Sequence, residues 1–385
     1  MFRIISKLSI LMLALLLVMA LVFGCGGSGG KEPQPAGEEQ GEPQQEPQET
    51  AFYEGETLEM LVPFGAGGGT DVFARFVAPY YNKHAAGQPA VQVVNVPGGG
   101  SVIGANEFVK LRKHDGFNAL VTSASTHFPY LLGEKEVQYD LREMKPVLGL
   151  PTGGVVYVSP STGITGPQDI GNAREKLVYA GISATGLDLV TLLSFEVLKM
   201  DVQAILGYEG RGPSRVAFEQ GESNVDYQTS SAYLTNVVPL VGNGTAVPLF
   251  SFGQLDENGN IVRDPAFPEI PSIKEFYEEA YGEEPSGVAW DAFKGFANAA
   301  FTVQKIVWLH SDAPEEAVQA LAEASEAAVA DPDFTEKGVD VLGGYTPYIG
   351  KNVEAAVNNM LAVSEEVKDW LRNFLADEYG VTRLK

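Results

Sequence analysis

Between residues 63 and 71 the chain reads Pro-Phe-Gly-Ala-Gly-Gly-Gly-Thr-Asp. The apolar residues Leu58, Met60, Leu61 and Val62 come before it, and Val72, Phe76 and Val77 follow at helical spacing. That order is strand, glycine turn, helix start. Such a junction aims bare backbone N–H groups into one small volume, with the positive end of a helix dipole behind them. Its natural chemistry is to hold an anion. A nucleoside triphosphate is excluded as that anion, because no Gly-Lys-Ser/Thr follows. A dinucleotide is disfavoured too: Gly65, Gly67 and Gly68 do not complete Gly-x-Gly-x-x-Gly, and the second strand ends in Asn95 rather than an acid.

Little else suggests reactivity. Asp71 stands at a helix start, where an N-cap is the better reading than a general base. His84, His114, His127 and His310 are scattered, with no pair at metal spacing, so no metal is expected. His127 follows a strand end and reads as a packing residue or one that lines a cleft. No Gly-x-Ser-x-Gly elbow joins an expected strand to a helix, and there is no nucleophile with a base beside it. The chain is expected to be a binder without cofactor, not an enzyme. Ser123, Ser125 and Thr126 would add hydroxyls on the same strand-end rim.

The elements that must position these groups alternate. Strands are expected at 58–62, 91–96 and 119–122, with helices at 71–85 and 101–112 between them. Short βα connections of this kind make a doubly wound parallel sheet, which takes ligands at the carboxyl ends of its strands. A second unit follows: strands at 155–158, 177–180, 202–206, 225–228 and 246–250, and helices at 186–198 and 213–219. Residues 256–298 turn polar and Gly/Pro-rich, with one short helix at 272–279. A strand at 302–309, an Ala-rich helix at 315–330 and a long amphipathic helix at 353–375 complete the chain. A chain that builds one lobe, crosses to a second and returns has two hinge crossings. That is the plan of a two-lobed periplasmic binding protein of Venus-flytrap, type II-like form. The expected divisions are 56–153 for lobe one, 154–296 for lobe two, and 297–385 for the return and the C-terminal helices.

The N-terminus reads as an export signal. Arg3 and Lys7 precede an apolar run over residues 8–23, and residues 1–24 fit a signal peptide, the alternative being an uncleaved N-terminal membrane helix. Cys25, the only cysteine, sits where cleavage would leave it as residue one, in Val22-Phe23-Gly24-Cys25. Lipidation there would tether an extracytoplasmic protein, and more than one acyl chain is needed for a stable anchor. Residues 26–50 are Gly, Pro, Gln and Glu with almost no apolar side chain, too polar to fold. As a coil of roughly 25 residues this linker reaches on the order of 30 Å. The net charge of −24 disfavours nucleic acid and anionic lipid headgroups. It does not forbid an anion at the glycine turn, since distant charges are screened beyond about 8 Å at physiological salt.

Several motifs recur in a consistent order. They are Val62-Pro63-Phe64 with Gly67-Gly68-Gly69-Thr70-Asp71 and Arg75; Asn95-Val96-Pro97-Gly98-Gly99-Gly100 with Ile103-Gly104-Ala105-Asn106; Asp115-Gly116-Phe117 with Leu120; Tyr179-Ala180-Gly181 with Ser183; Gly207-Tyr208-Glu209-Gly210, then Gly221-Glu222 and Val225-Asp226; and Pro271-Ser272 with Glu275-Phe276. In these the chain resembles the substrate-binding receptors of tripartite tricarboxylate transporters, the Bug receptors. The resemblance implies a monomeric receptor for a small organic carboxylate, delivering it to a permease of one large and one small subunit. It implies that backbone groups and water hold the carboxylate between Phe64, Gly65, Ala66, Gly67, Gly68, Gly69, Thr70 and Asp71 on one side and Gly181, Ile182, Ser183, Ala184 and Thr185 on the other. Ile182-Ser183-Ala184-Thr185 departs from the tighter Gly-Ser pattern common there, and 256–298 is longer than usual. Arg211 follows a glycine turn near this cleft: it either takes a second ligand carboxylate by bidentate bonds or pairs with Glu209 or Glu222. Phe64, Tyr208 and Tyr227 either wall the pocket, which would suit an aromatic acid, or pack in the core. The alternative is an ABC-type receptor for phosphate or an amino acid.

Overall fold

The computed structural model describes residues 51–208, 210–256 and 259–384. The signal, Cys25, the linker and Glu209 lie outside the described residues. The first sheet is built from β1 (Thr57–Val62), β2 (Ala90–Asn95), β3 (Asn118–Ser123) and β4 (Lys145–Leu150). The second takes β5 (Gly154–Val158), β6 (Leu177–Gly181), β7 (Val202–Leu206), β8 (Val225–Thr229) and β9 (Val247–Ser251). A two-stranded ribbon, β10 (Gln254–Leu255) and β11 (Ile261–Val262), follows. The chain then returns to the first sheet with β12 (Lys305–Leu309) and β13 (Tyr348–Ile349). The orders are β13-β4-β12-β3-β1-β2 and β7-β6-β8-β5-β9. Two crossings therefore join the lobes, one between β4 and β5 and one between β9 and β12.

Register sets the rims. β1 runs parallel to β2 and β3, and Val62 lies opposite Asn95, so both glycine turns leave the sheet at one edge. β12 runs antiparallel to β3 and β4, so its first residue, Lys305, lies opposite Ser123 and Leu150 at that same edge. In the second sheet Gly181 pairs with Leu206, and β5 starts opposite Thr229. The crossing at 151–153 thus joins the rim of one sheet to the rim of the other. Its partner segment lies alongside, with the Thr152 N–H donating to the Phe301 carbonyl at 2.8 Å.

Helices cover the sheets by burying apolar faces. Helix α1 (Gly69–His84) buries Phe73, Ala74, Val77 and Tyr81, and the Ala-rich helix Glu315–Ala330 buries Ala317, Leu321, Ala324 and Ala328 in the same core. The Tyr81 and Ser325 hydroxyls, 2.9 Å apart, tie the two helices together. Small alanines allow that close approach. Helix α2 (Val102–Leu111) packs tightly on the two turns, because a Cβ on Gly104 would stand 2.4 Å from the Val96 oxygen and 2.8 Å from Pro63 Cα.

Three local expectations change, and one junction is added. The amphipathic stretch at 353–375 is two helices, Gly350–Leu361 and Glu365–Tyr379, because the Ser364 hydroxyl accepts the Val367 N–H and starts a new helix. The polar stretch at 256–298 contains a second helix, Val288–Ala297, whose Trp290, Phe293 and Phe296 are buried. These aromatics stand three apart, a helical period hidden by the Gly, Pro and Glu just before them. Residues Asn298–Thr302 coil as a π-helical turn, so the last long strand begins only at Lys305. Finally, β3 passes without a loop into α3 (Ala124–Leu132), whose first N–H is taken by the Gln304 carbonyl at 3.0 Å.

Candidate functional site

The first turn is tied by the side chain at its far end. Asp71 is buried and sits in the first turn of α1, while Gly68 occupies the N-cap, so Asp71 is not the cap residue. Its Oδ2 accepts the Gly67 N–H at 2.8 Å and Arg75 Nε–H at 3.0 Å, and its Oδ1 accepts Asn95 Nδ2–H at 2.9 Å. Asn95 in turn donates to the Phe64 carbonyl and accepts from Arg75, both at 3.0 Å. Burial pushes the Asp71 carboxyl up, but the bonds from Arg75, Gly67 and Asn95 together outweigh it and hold the group below the usual carboxylate range. The carboxylate is thereby committed to the loop. Gly65 to Gly69 remain exposed. Among the described residues, the N–H groups of Gly69, Thr70 and Asp71 have no backbone acceptor. These are the orphan donors of a helix start, set beside exposed glycine backbone.

The second turn repeats this device. Asp188, buried in the first turn of α4 (Asp188–Val197), accepts the Ile182 and Ser183 N–H groups at 3.1 and 3.2 Å on Oδ2. Oδ1 takes the Tyr179 hydroxyl and Arg211 Nη1–H, the latter at 2.9 Å. Two of the backbone donors expected to face a ligand thus point at their own aspartate. Gly181, Ala184 and Thr185 are buried, Ile182 is exposed, and Ser183 lies between. Ser183 Oγ accepts the Thr185 N–H at 3.3 Å.

Arg211 opens helix α5 (Arg211–Glu219) and turns inward. Nη1 also donates to the Ala180 carbonyl at 3.2 Å, and Nη2 donates to Asp226 and to the Tyr227 carbonyl. The guanidinium lies over the Tyr227 ring at 4.1 Å. Among the described residues its ion pairs are to Asp188 and Asp226, and Glu222, an expected partner, stands 3.5 Å from the Tyr208 hydroxyl instead; Glu209, the other, lies outside the described residues. A guanidinium engaged on both Nη atoms has no bidentate face left for a ligand. Tyr227 is core, fully buried and stacked with Tyr179, and its hydroxyl has no partner among the described residues. Tyr208 is half-buried, and its N–H anchors to the Gly181 carbonyl at 3.1 Å.

On the first rim Ser123 and Thr126 are buried, and Ser125 is half-buried. The rims meet here, since a Cβ on Gly186 would lie 3.6 Å from Ser125 Oγ. Ser101 reaches across from the second glycine turn and donates to the Ser125 carbonyl at 3.3 Å, with its backbone at φ 93°. Such a left-handed serine is uncommon and marks a constrained junction. His127 belongs to the core: its Nε2 is 2.8 Å from Thr122 Oγ1, which also accepts Trp308 Nε1–H, and burial pushes the imidazole down to about 3.

Two features were missed by reading the sequence alone. Lys305 lies on the rim beside Gly69, where a Cβ would be 3.9 Å from its Cε. The only trace of it in sequence is a lone lysine heading an apolar strand. His114 and His310, far apart in sequence, stack with ring centroids 3.2 Å apart near Asp312. Their planes are 10° from parallel. Their in-plane lone pairs therefore run side by side and do not converge on one ion. Among the described residues, no helix is long and apolar enough to cross a membrane.

Two α/β lobes joined by two crossings, with turns at apposed strand-end rims, define a periplasmic-binding-protein fold. The structure of the periplasmic binding protein BugD matches it with a TM-score of 0.58 at 20% identity, covering 84% of this chain and 97% of BugD. A Rhodopseudomonas palustris protein solved with adipate matches with a TM-score of 0.60 at 18% identity, covering 82% of this chain and 97% of that one. In sequence, the chain is 28% identical over 234 residues to Protein BugT of Bordetella pertussis. That match spans 58% of this chain and 66% of BugT, just under two thirds of the relative's length. No family model matches the chain. The chain is thus similar in fold to Bug and TctC periplasmic binding proteins and, over part of its length, similar in sequence to a Bug protein.

Proposed function

We propose that the chain is an extracytoplasmic receptor that binds a small organic carboxylate, a di- or tricarboxylate or an aromatic acid, between its lobes. It hands that ligand unchanged to a tripartite permease of one large and one small subunit. The observation that carries this reading is the exposed glycine turn. Unclaimed N–H groups at Gly69, Thr70 and Asp71 open a 16-residue helix on the rim that faces the second lobe. Charge-assisted bonds from such donors suit a carboxylate. Lobe two contributes the exposed Ile182 side chain and Ser183. The adipate-bound R. palustris protein shares the fold and supports a dicarboxylate ligand.

The proposed lobes are 56–153, 154–296 and the return over 297–385. The proposed anchor is acylated Cys25. Metabolic acyl labelling that Cys25→Ala abolishes would support the anchor, and a labelled Cys25→Ala protein would sink it. The receptor reading is tested by mass spectrometry of ligand carried through purification, and by calorimetry against carboxylates, phosphate and amino acids. Binding of phosphate or an amino acid in place of any carboxylate would overturn it.

A further inference from the structure

Lys305 is the one covered lysine or arginine that lacks a polar partner among the described residues. No carboxylate lies within 4.0 Å of its Nζ, and it donates no hydrogen bond to the described residues. The other unpartnered lysines and arginines among these residues are exposed, where water satisfies them. Lys305 is half-buried at the head of β12, opposite Ser123 and Leu150, with its stem against the start of α1. A covered ammonium without a counter-ion is costly, and proteins keep one where something else neutralises it.

We propose that Lys305 is the ligand-binding cation of the cleft, pairing through Nζ with the carboxylate seated on the N–H groups at the start of α1. The proposal rests on the carboxylate-receptor reading and deepens it, since it gives the ligand a charged partner that backbone donors alone do not provide. The surroundings leave that role to Lys305. Asp71 faces Arg75 and Asn95; Asp188 faces Arg211; His127 is buried and turned to Thr122. Ser123 and Leu150, its strand neighbours, do not titrate. Of the other cations near the cleft, Arg211 is consumed by Asp188 and Asp226, Arg75 pairs with Asp71 and Arg383 pairs with Glu134. A lysine also fits a receptor for varied acids: its ammonium is a compact charge with rotatable donors and does not impose the planar fork of a guanidinium. Burial alone pushes the Lys305 ammonium down to about 8. A bound carboxylate would restore its proton affinity.

The test is calorimetry on the full chain with adipate, malate, citrate and benzoate as probes, for wild type, Lys305→Met and Lys305→Arg. At least one probe is expected to bind wild type. Lys305→Met is expected to lose about tenfold or more in affinity, with Lys305→Arg keeping most of it. Wild-type affinity is expected to fall as pH rises from about 7 to about 10, with proton uptake on binding near the upper end, while Lys305→Met shows neither effect. A Met variant that binds within about twofold of wild type, with the same pH profile, overturns the role of Lys305 and leaves the receptor reading intact. If wild type binds none of the carboxylates, the receptor reading falls and the proposal with it. Should Lys305→Met fail to fold, the wild-type profile decides: affinity that does not change with pH overturns the proposal.

Discussion

At the residue scale, Asp71 and Asp188 each fix a loop from the helix that follows it. Asp71 has its folded value held low, so its contribution to stability is present above the ordinary carboxylate value and lost as pH falls through the folded one. Asp71→Ala is expected to cost about 1–3 kcal/mol in urea unfolding at neutral pH, and less in acid. An equal cost at both pH values would show that the charge is not what matters. Arg211 neutralises two buried carboxylates, and Arg211→Met leaves both without a cation. The expected loss is about 3–5 kcal/mol by chemical denaturation, far beyond that of a surface arginine. Any effect of Arg211 variants on dicarboxylate binding would then follow from a loosened second turn. Lys305 has the opposite sign. Its folded value is depressed, so between about 8 and the ordinary lysine range the unfolded chain binds more protons. The empty protein is therefore expected to gain stability as pH rises through that window, a slope that Lys305→Met removes.

At the element scale, the site depends on how closely α2 sits on the two glycine turns. Gly104 lets the helix lie against Val96 and Pro63, and a methyl group there has nowhere to go. Gly104→Ala is expected to destabilise by about 1–3 kcal/mol and to weaken ligand binding, because Pro63 leads straight into the turn. A variant with wild-type midpoint and affinity would show that the contact relaxes freely. The direct passage from β3 into α3 does comparable work. With no loop between them, Ser123, Ser125 and the Gln304 carbonyl are fixed at the rim by the strands themselves.

At the scale of the whole molecule, one apolar cluster runs through both lobes, and polar contacts beside the crossings add to it. Gly153 admits Asp264, whose two oxygens accept the Tyr345 hydroxyl at 2.8 Å. That hydroxyl is also 2.9 Å from Ser230 Oγ in the second lobe. Near the C-terminus Arg383 pairs with Glu134 after α3 at 3.2 Å and donates to Thr185 in the second turn at 2.9 Å. This strap touches both lobes close to the proposed cleft. Arg383→Ala is expected to raise the ligand dissociation rate several-fold in stopped-flow measurements while leaving the thermal midpoint nearly unchanged. Unchanged release would show that the strap does not restrain opening.

The sequence by itself determined the alternation of strand and helix, the two glycine turns on one rim, and the absence of nucleotide motifs. These follow from local periodicity and from glycine's conformational freedom, which need no distant partner. It also located the helix starts at both turns to within two residues, because apolar spacing changes there. The tertiary structure alone decided which polar groups are still free. Asp188, Asp226 and Arg211 read in sequence as three separate charges, and only folding joins them into one buried cluster that withdraws Arg211 from a ligand. The stacking of His114 on His310 and the break at Ser364 escaped for related reasons, one a long-range contact and one a cap competing with an unbroken apolar period. Lys305 is the clearest case. Whether a lysine is a surface charge or the cation of a cleft depends on what lies opposite it across the sheet, and strand order is settled by packing between segments far apart in the chain.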